Sequence, residues 1–222
     1  MFDQSNAVWT RTQAPKDELI SASAYNLIIG LTLLWGFGLN YLIIDHLDPQ
    51  WVMGINYWVL IIGYFISCFI GIMLYTSSDV PLVSFIGYNL VVVPIGVIIT
   101  PLVATTDSQI VHQAITITGA ITLTMMMLGA AYPRLFLKMG RVLFLSLFLV
   151  ILFEVGGLLL GYHTPDVVDW IVAVIFCGYI GYDWARANQI PYTVDNAIDS
   201  AASLYLDIIN LFIRILQILS RR

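Results

Sequence analysis

Charge is what this chain has least of. Lys, Arg, Asp and Glu together make up 10% of its 222 residues, against about 25% in ordinary soluble domains. A surface so poor in charge excludes a water-soluble fold, and an apolar share of 59% leaves no room for a soluble domain beside the apolar runs. The balance of nine basic to fourteen acidic residues gives a net charge of -5. Without a basic patch, this argues against nucleic acid as a partner. There are only two cysteines, Cys68 and Cys177, both inside apolar runs. They read as small buried hydrophobes, with neither a disulfide framework nor a CxxC metal spacing. The only lysines are Lys16 and Lys138, so the last apolar run has no amine to form a retinal Schiff base. The polar stretch Met1–Leu19 lacks an apolar signal core and a small-residue cleavage site. The first apolar run is therefore expected to act as its own insertion signal.

Long apolar runs are what the chain has instead. Crossing roughly 30 Å of hydrocarbon takes about 20 apolar residues as a helix. Seven such spans are read at 22–44, 51–75, 80–105, 110–132, 140–161, 167–184 and 198–219. Short breaks with turn chemistry separate them, such as Asp45-His46-Leu47-Asp48-Pro49, Tyr132-Pro133-Arg134 and His163-Thr164-Pro165-Asp166. The runs are continuous rather than alternating, which excludes β-barrel strands. The expected fold class is an all-α integral membrane protein of seven transmembrane helices. Its domain organisation is a cytoplasmic N-terminal segment, 1–21, followed by a single seven-helix domain, 22–222.

Orientation follows from the loop positions of Lys and Arg. With the N-terminus inside, the inner segments hold Arg11, Lys16, Arg134, Lys138, Arg141 and Arg186, and the outer loops hold none. Arg221 and Arg222 fall on the other side, so the sequence leaves open a last segment that re-enters to bring them back. The multi-pass chain is expected in a bacterial plasma membrane, with the lipid bilayer as its first partner. In the third span Pro94 and Pro101 predict a kink whose freed carbonyls need partners. Gly157 and Gly161 have the spacing of a close helix-packing pair, and Met125-Met126-Met127 reads as core filler.

An ionisable side chain inside a span costs roughly 2.5–3.5 kcal/mol on insertion scales, which marks Glu154, Asp183, Asp207 and Arg214 as candidate functional residues. Asp199, Ser203, Asp207, Asn210 and Arg214 follow one another at spacings of three and four, the signature of one helical face. Such a face cannot point at lipid, so the C-terminal helix is expected to be central in the bundle. Glu154 and Arg214 lie at similar depth from the outer ends of their spans and are expected to form a structural ion pair. Asp183 and Asp207, if brought close in a low dielectric, would share a proton and form a pH sensor. In its ionised state the pair would also suit a hard cation such as calcium. By depth, the pairing requires the sixth helix to continue past Asp183 to about Ala187. The outer breaks carry Asp45, Asp48, Asp107, Asp166 and Asp169 with no compensating base. His46, His112 and His163 sit at outer span ends without metal-ligand spacing and read as interfacial.

The segment Gly181-Tyr182-Asp183, then Ala187-Asn188-Gln189-Ile190, then Ser203-Leu204-Tyr205-Leu206-Asp207-Ile208-Ile209-Asn210-Leu211-Phe212 resembles the Bax-inhibitor family, the transmembrane Bax-inhibitor-motif proteins, in its bacterial form. The resemblance implies seven helices with the last one central. It also implies a pH-sensitive calcium leak channel in which Asp183 and Asp207 switch between a closed and an open state. Calcium ions and protons are then the small partners, with no cofactor and no enzymatic activity. The chain departs from the family pattern at the end of its second span. Some bacterial relatives carry a basic cluster there, whereas this chain reads Leu74-Tyr75-Thr76-Ser77-Ser78-Asp79. Arg186 is the expected substitute for the missing base.

Two rival readings remain. An intramembrane aspartyl protease of presenilin type also uses Tyr-Asp in one span and an aspartate in the next. Such proteases carry Gly-x-Gly-Asp at the second site, where this chain has Leu204-Tyr205-Leu206-Asp207. The other rival is a membrane regulator or scaffold that transports nothing. A secondary transporter is disfavoured by the lack of an internal repeat.

Overall fold

A computed structural model describes residues 18–161 and 165–221. The N-terminal bases Arg11 and Lys16, His163 and Arg222 lie outside the described residues, as does most of the segment 1–21. The described chain is helical, with no strand: α1 (Ala22–His46), α2 (Pro49–Met53), α3 (Tyr57–Ser77), α4 (Pro81–Ala104), α5 (Ser108–Ala131), α6 (Pro133–Leu160), α7 (Val167–Ala187) and α8 (Val194–Ser220). All but α2 are long and apolar enough to cross a membrane. The protein is thus an all-α multi-pass membrane protein with seven candidate spans.

Helix boundaries follow local capping chemistry. Asp48 accepts from the Gln50 amide at 2.9 Å and Pro49 opens α2, so the second span starts at Tyr57 rather than at 51. Asn56 then caps α3 by accepting from the amides of Trp58 and Val59. Proline fits the first helical position, where its missing N–H has no partner to lose. Pro133 therefore opens α6 directly behind α5, seven residues before the start read from hydropathy, and Tyr132 alone joins the two helices. Gly161 ends α6 in the left-handed conformation at φ 73°. It is a helix stop with nothing packed against it, not half of a packing pair. Met127, at 65% exposure, faces outward instead of filling a core.

The helices form two compact units. One comprises residues up to Thr105 together with Gln189–Tyr205, the other Thr106–Asn188 together with Leu206 onward. In the first, α4 packs against α1, α2 and α3. Pro94 and Pro101 sit inside α4 without breaking it. The carbonyl that Pro94 leaves without an intrahelical donor belongs to Leu90, and the Ser67 hydroxyl of α3 donates to it at 2.7 Å. Several buried polar groups in this unit are also paired: Tyr88 donates to the Thr32 carbonyl at 2.9 Å, Ser84 to Asp195 at 2.7 Å, and the Asn40 amide nitrogen to the Tyr205 hydroxyl. In the second unit α7 packs against α5 and α6.

The last segment does not re-enter. α8 is a single helix of 27 residues, about 40 Å long at 1.5 Å per residue. Every residue from Asp195 to Tyr205 is buried, so this stretch is enclosed on all its faces rather than showing one polar face to water. By contrast, the window that qualifies α6 as a span is 6% buried.

The Ser67 hydroxyl is expected to stabilise the proline-bearing helix. Ser67→Ala should lower stability by about 0.6–1.7 kcal/mol, the range for interhelical hydrogen bonds in a bilayer, read by unfolding of the purified protein in detergent. Unchanged stability would mean that Leu90 is satisfied in another way.

Candidate functional site

Small residues let α5 and α6 approach α7 at the start of the site. A Cβ added at Gly129 of α5 would lie 2.5 Å from the Gly181 carbonyl of α7, and one added at Gly140 of α6 would lie 2.9 Å from the Tyr182 ring. The Gly-Tyr half of the Gly181-Tyr182-Asp183 motif is therefore packing chemistry that fixes this turn of α7. The helix runs on to Ala187, one turn past Asp183, the extension that the depth of Asp207 requires.

Asp183 and Asp207 are both buried, at 8% and 6% exposure. Their carboxyl groups lie within hydrogen-bond reach of each other. Two ionised carboxylates have no donor to offer each other, so a hydrogen bond between the two requires one proton. Arg186, one turn further along α7, places a guanidinium nitrogen 3.5 Å from Asp183 Oδ1. Its side chain is as deeply buried as that of the aspartate. Asp207 Oδ2 is buried with no hydrogen-bond donor beside it. Tyr179, one turn before Asp183, lies within electrostatic range of both carboxyls. Its spacing of four from Asp183 was a signal available in the sequence. The arrangement can hold or release a proton at a buried point, with Arg186 offsetting one negative charge.

The other residues of the polar series on α8 divide. Asn210 donates to its own helix at Leu206 and does not join the aspartate pair. Asp199, at 0% exposure, and Ser203, at 7%, are buried in the first unit.

Arg214 lies at the centre of a second cluster. It donates to Glu154 of α6 at 2.9 Å and to Asp169 of α7 at 2.7 Å. Arg221 continues the chain, contacting Asp169 at 2.6 Å and Asp166 at 2.7 Å. Asp166 and Asp169 are therefore not uncompensated loop charges. Asp169 is 4% exposed in the first turn of α7, and the bases that balance both come from the far end of α8. Sequence reading missed this because Arg221 looked like a topological exception. The available signal was the seven-residue spacing of Arg214 and Arg221 on one face. Asp48 and Asp107 are helix caps. Among the described residues no group of three or more His, Cys, Asp or Glu side chains is placed to hold a metal ion.

Fourteen residues separate Asp169 from Asp183 on α7, and fourteen separate Asp207 on α8 from Arg221 directly after its end. The acid–acid contact and the Asp169–Arg221 contact therefore belong to one antiparallel register, about 21 Å apart along the helices.

The class defined by these features is a multi-pass helical membrane protein that keeps its buried ionisable groups close to one another inside its spans. Within that class, the chain belongs to the Bax-inhibitor family: the family described as "Inhibitor of apoptosis-promoting Bax1" matches residues 18–222. Among relatives, an uncharacterised protein of Helicobacter pylori strain 26695 is 41% identical over 83 residues, 37% of this chain and 35% of that protein. Protein LIFEGUARD 3 of Arabidopsis thaliana is 34% identical over 122 residues, 52% of this chain and 48% of its own length. The Golgi anti-apoptotic protein of vaccinia virus strain Lister is 33% identical over 114 residues, 51% and 48% of the two chains. The matched parts thus span half or less of the length of these relatives.

The two arginines should differ in weight, since the Arg221 side chain is 44% exposed and that of Arg214 is 21% exposed. Arg214→Gln leaves Glu154 without its guanidinium and Asp169 with one of two, and should cost about 1–3 kcal/mol. Arg221→Gln should cost less, about 0–1 kcal/mol, as for exposed pairs. Thermal unfolding in detergent reads both, and equal losses would contradict the ranking.

Proposed function

We propose that this protein is a pH-sensitive cation leak channel, with calcium as its permeant ion and the Asp183–Asp207 pair as its proton-operated switch. The observation that carries this reading is the close approach of two buried carboxyl groups from two candidate spans, with Arg186 beside them. With one proton held between them, the two groups attract. Removing that proton replaces a hydrogen bond by two like charges in a low dielectric, of which Arg186 can offset one. The sign is therefore defined: falling pH favours the joined state, rising pH the separated one. Calcium is better suited to passing this point than to residing there. A resident calcium ion takes six to eight oxygen ligands, and here a guanidinium competes for one of the two carboxylates.

We further propose that the protein lies in a bacterial plasma membrane with its N-terminus cytoplasmic and has no enzymatic activity. The orientation is supported by Arg134, Lys138 and Arg141 at the start of α6 and by Arg186 at the end of α7, which fall on one side when seven spans alternate. A second reading, a regulator that passes no ions, draws support from the vaccinia relative named for anti-apoptotic action.

Calcium flux into liposomes from about pH 5 to about pH 8 tests the switch. Wild type should show a pH-dependent flux. Asp183→Asn and Asp207→Asn, in which an amide donor replaces the shared proton, should hold at every pH the flux that wild type shows at the acid end. Absence of flux at any pH in all three proteins would sink the channel reading and leave the regulator. Cleavage of a transmembrane peptide that Asp207→Asn abolishes would instead establish a protease.

A further inference from the structure

Six of the nine basic residues are described, and they divide evenly. Arg186, Arg214 and Arg221 are engaged in ion pairs. Arg134, Lys138 and Arg141 are all exposed, and among the described residues none of them has an ion-pair or side-chain hydrogen-bond partner. The spacings of four and three put these three on one face of α6, within its first three turns. Among the described residues no carboxylate compensates them, although acidic residues outnumber basic ones in the chain. α6 is also the candidate span with the smallest buried share, so this face is turned outward.

The same face changes character further along. The four-and-three series continues from Arg141 through Leu145, Leu152 and Leu159, which are 56%, 52% and 72% exposed. One stripe therefore has three cationic side chains over about 10 Å, followed by an aliphatic run of about 21 Å. A membrane interface is some 5–8 Å deep on each side of the hydrocarbon core. Long basic side chains at neighbouring depths can reach it by extending their heads toward water. This order, cationic and then aliphatic, is complementary in charge and polarity to an anionic amphiphile aligned with the bilayer normal.

We propose that this stripe of α6 is a binding site for an anionic phospholipid. The phosphate of its headgroup lies among Arg134, Lys138 and Arg141, and its acyl chains lie along Leu145, Leu152 and Leu159. The site is independent of the aspartate switch, and nothing in it requires ion flux. It assigns the bases a ligand, a role beyond setting the orientation of the helix. Because the cations are exposed and unpaired before the lipid arrives, no internal ion pair has to break for it to bind.

Native mass spectrometry of the detergent-purified protein tests the site, using phosphatidylglycerol and phosphatidylcholine with the same acyl chains. Wild type should retain phosphatidylglycerol with a preference of roughly 100-fold, as expected for three bases at the strength of one base near an anionic surface. The triple variant R134Q/K138Q/R141Q should bind the two lipids nearly equally, and Lys138→Gln alone should reduce the preference about fivefold. R134K/R141K, which keeps the charge, should retain the preference. Millimolar inorganic phosphate should not displace the lipid, because it cannot use the aliphatic part of the stripe. Equal retention of both lipids by wild type, an undiminished preference in the triple variant, loss of the preference in R134K/R141K, or displacement by phosphate would each overturn the proposal.

Discussion

A charge that cannot reach water has to find its partner within the protein. Insertion into hydrocarbon makes each isolated ionised group expensive, and this chain contains few of them. Those it buries in its second unit are gathered at two places, the Asp183–Asp207–Arg186 site and the Glu154–Arg214–Asp169 site. The constraint reaches the backbone as well. Pro94 removes one donor from α4, and the hydroxyl of Ser67 comes from another helix to replace it. Each of these pairings ties helices together, so the rule that satisfies polar groups also fixes which helices are neighbours.

The aspartate site combines two kinds of residue with different work to do. Gly181 and Tyr182 shape the surface of α7 against Gly129 and Gly140, which leaves Asp183 at a fixed turn. Asp183, Asp207 and Arg186 then carry the charge. Packing of this density resists gradual deformation, so a change of protonation acts on a rigid frame rather than dissipating in loose side chains. The outer cluster differs in that its members other than Asp169 are only partly buried and its bases reach their acids through long flexible stems. Its energetic weight per contact is correspondingly smaller.

Much of the architecture was legible in the sequence because hydropathy is a direct signal of the bilayer. The seven apolar runs correspond to seven long helices. The places where run and helix differ are governed by capping rather than by hydropathy. Pro133 starts α6 among charged residues that a hydropathy reading assigns to a loop. Asp48 with Pro49 inserts the short α2, and Gly161 stops a helix instead of packing one. For the site, counting residues from the span ends brought Glu154 and Arg214 to one depth. The same counting placed Asp166 and Asp169 in an acidic loop, because it could not foresee that a terminal arginine on another helix returns to them. Asn210 shows the converse limit: it has the right periodicity for the polar series, but it bonds to its own backbone.

The shared register of α7 and α8 has a mechanical consequence. Contacts about 21 Å apart along one pair of helices make α8 a lever arm between them. Tilting the helix by about 10° around the inner contact carries the outer one through nearly 4 Å, more than the reach of a hydrogen bond. Sliding it along its axis offers no easier route, since side chains return to equivalent positions only after a full turn of about 5.4 Å. Small continuous displacements of α8 are therefore penalised at both ends at once. Movements that survive this penalty are large enough to exchange one complete set of partners for another.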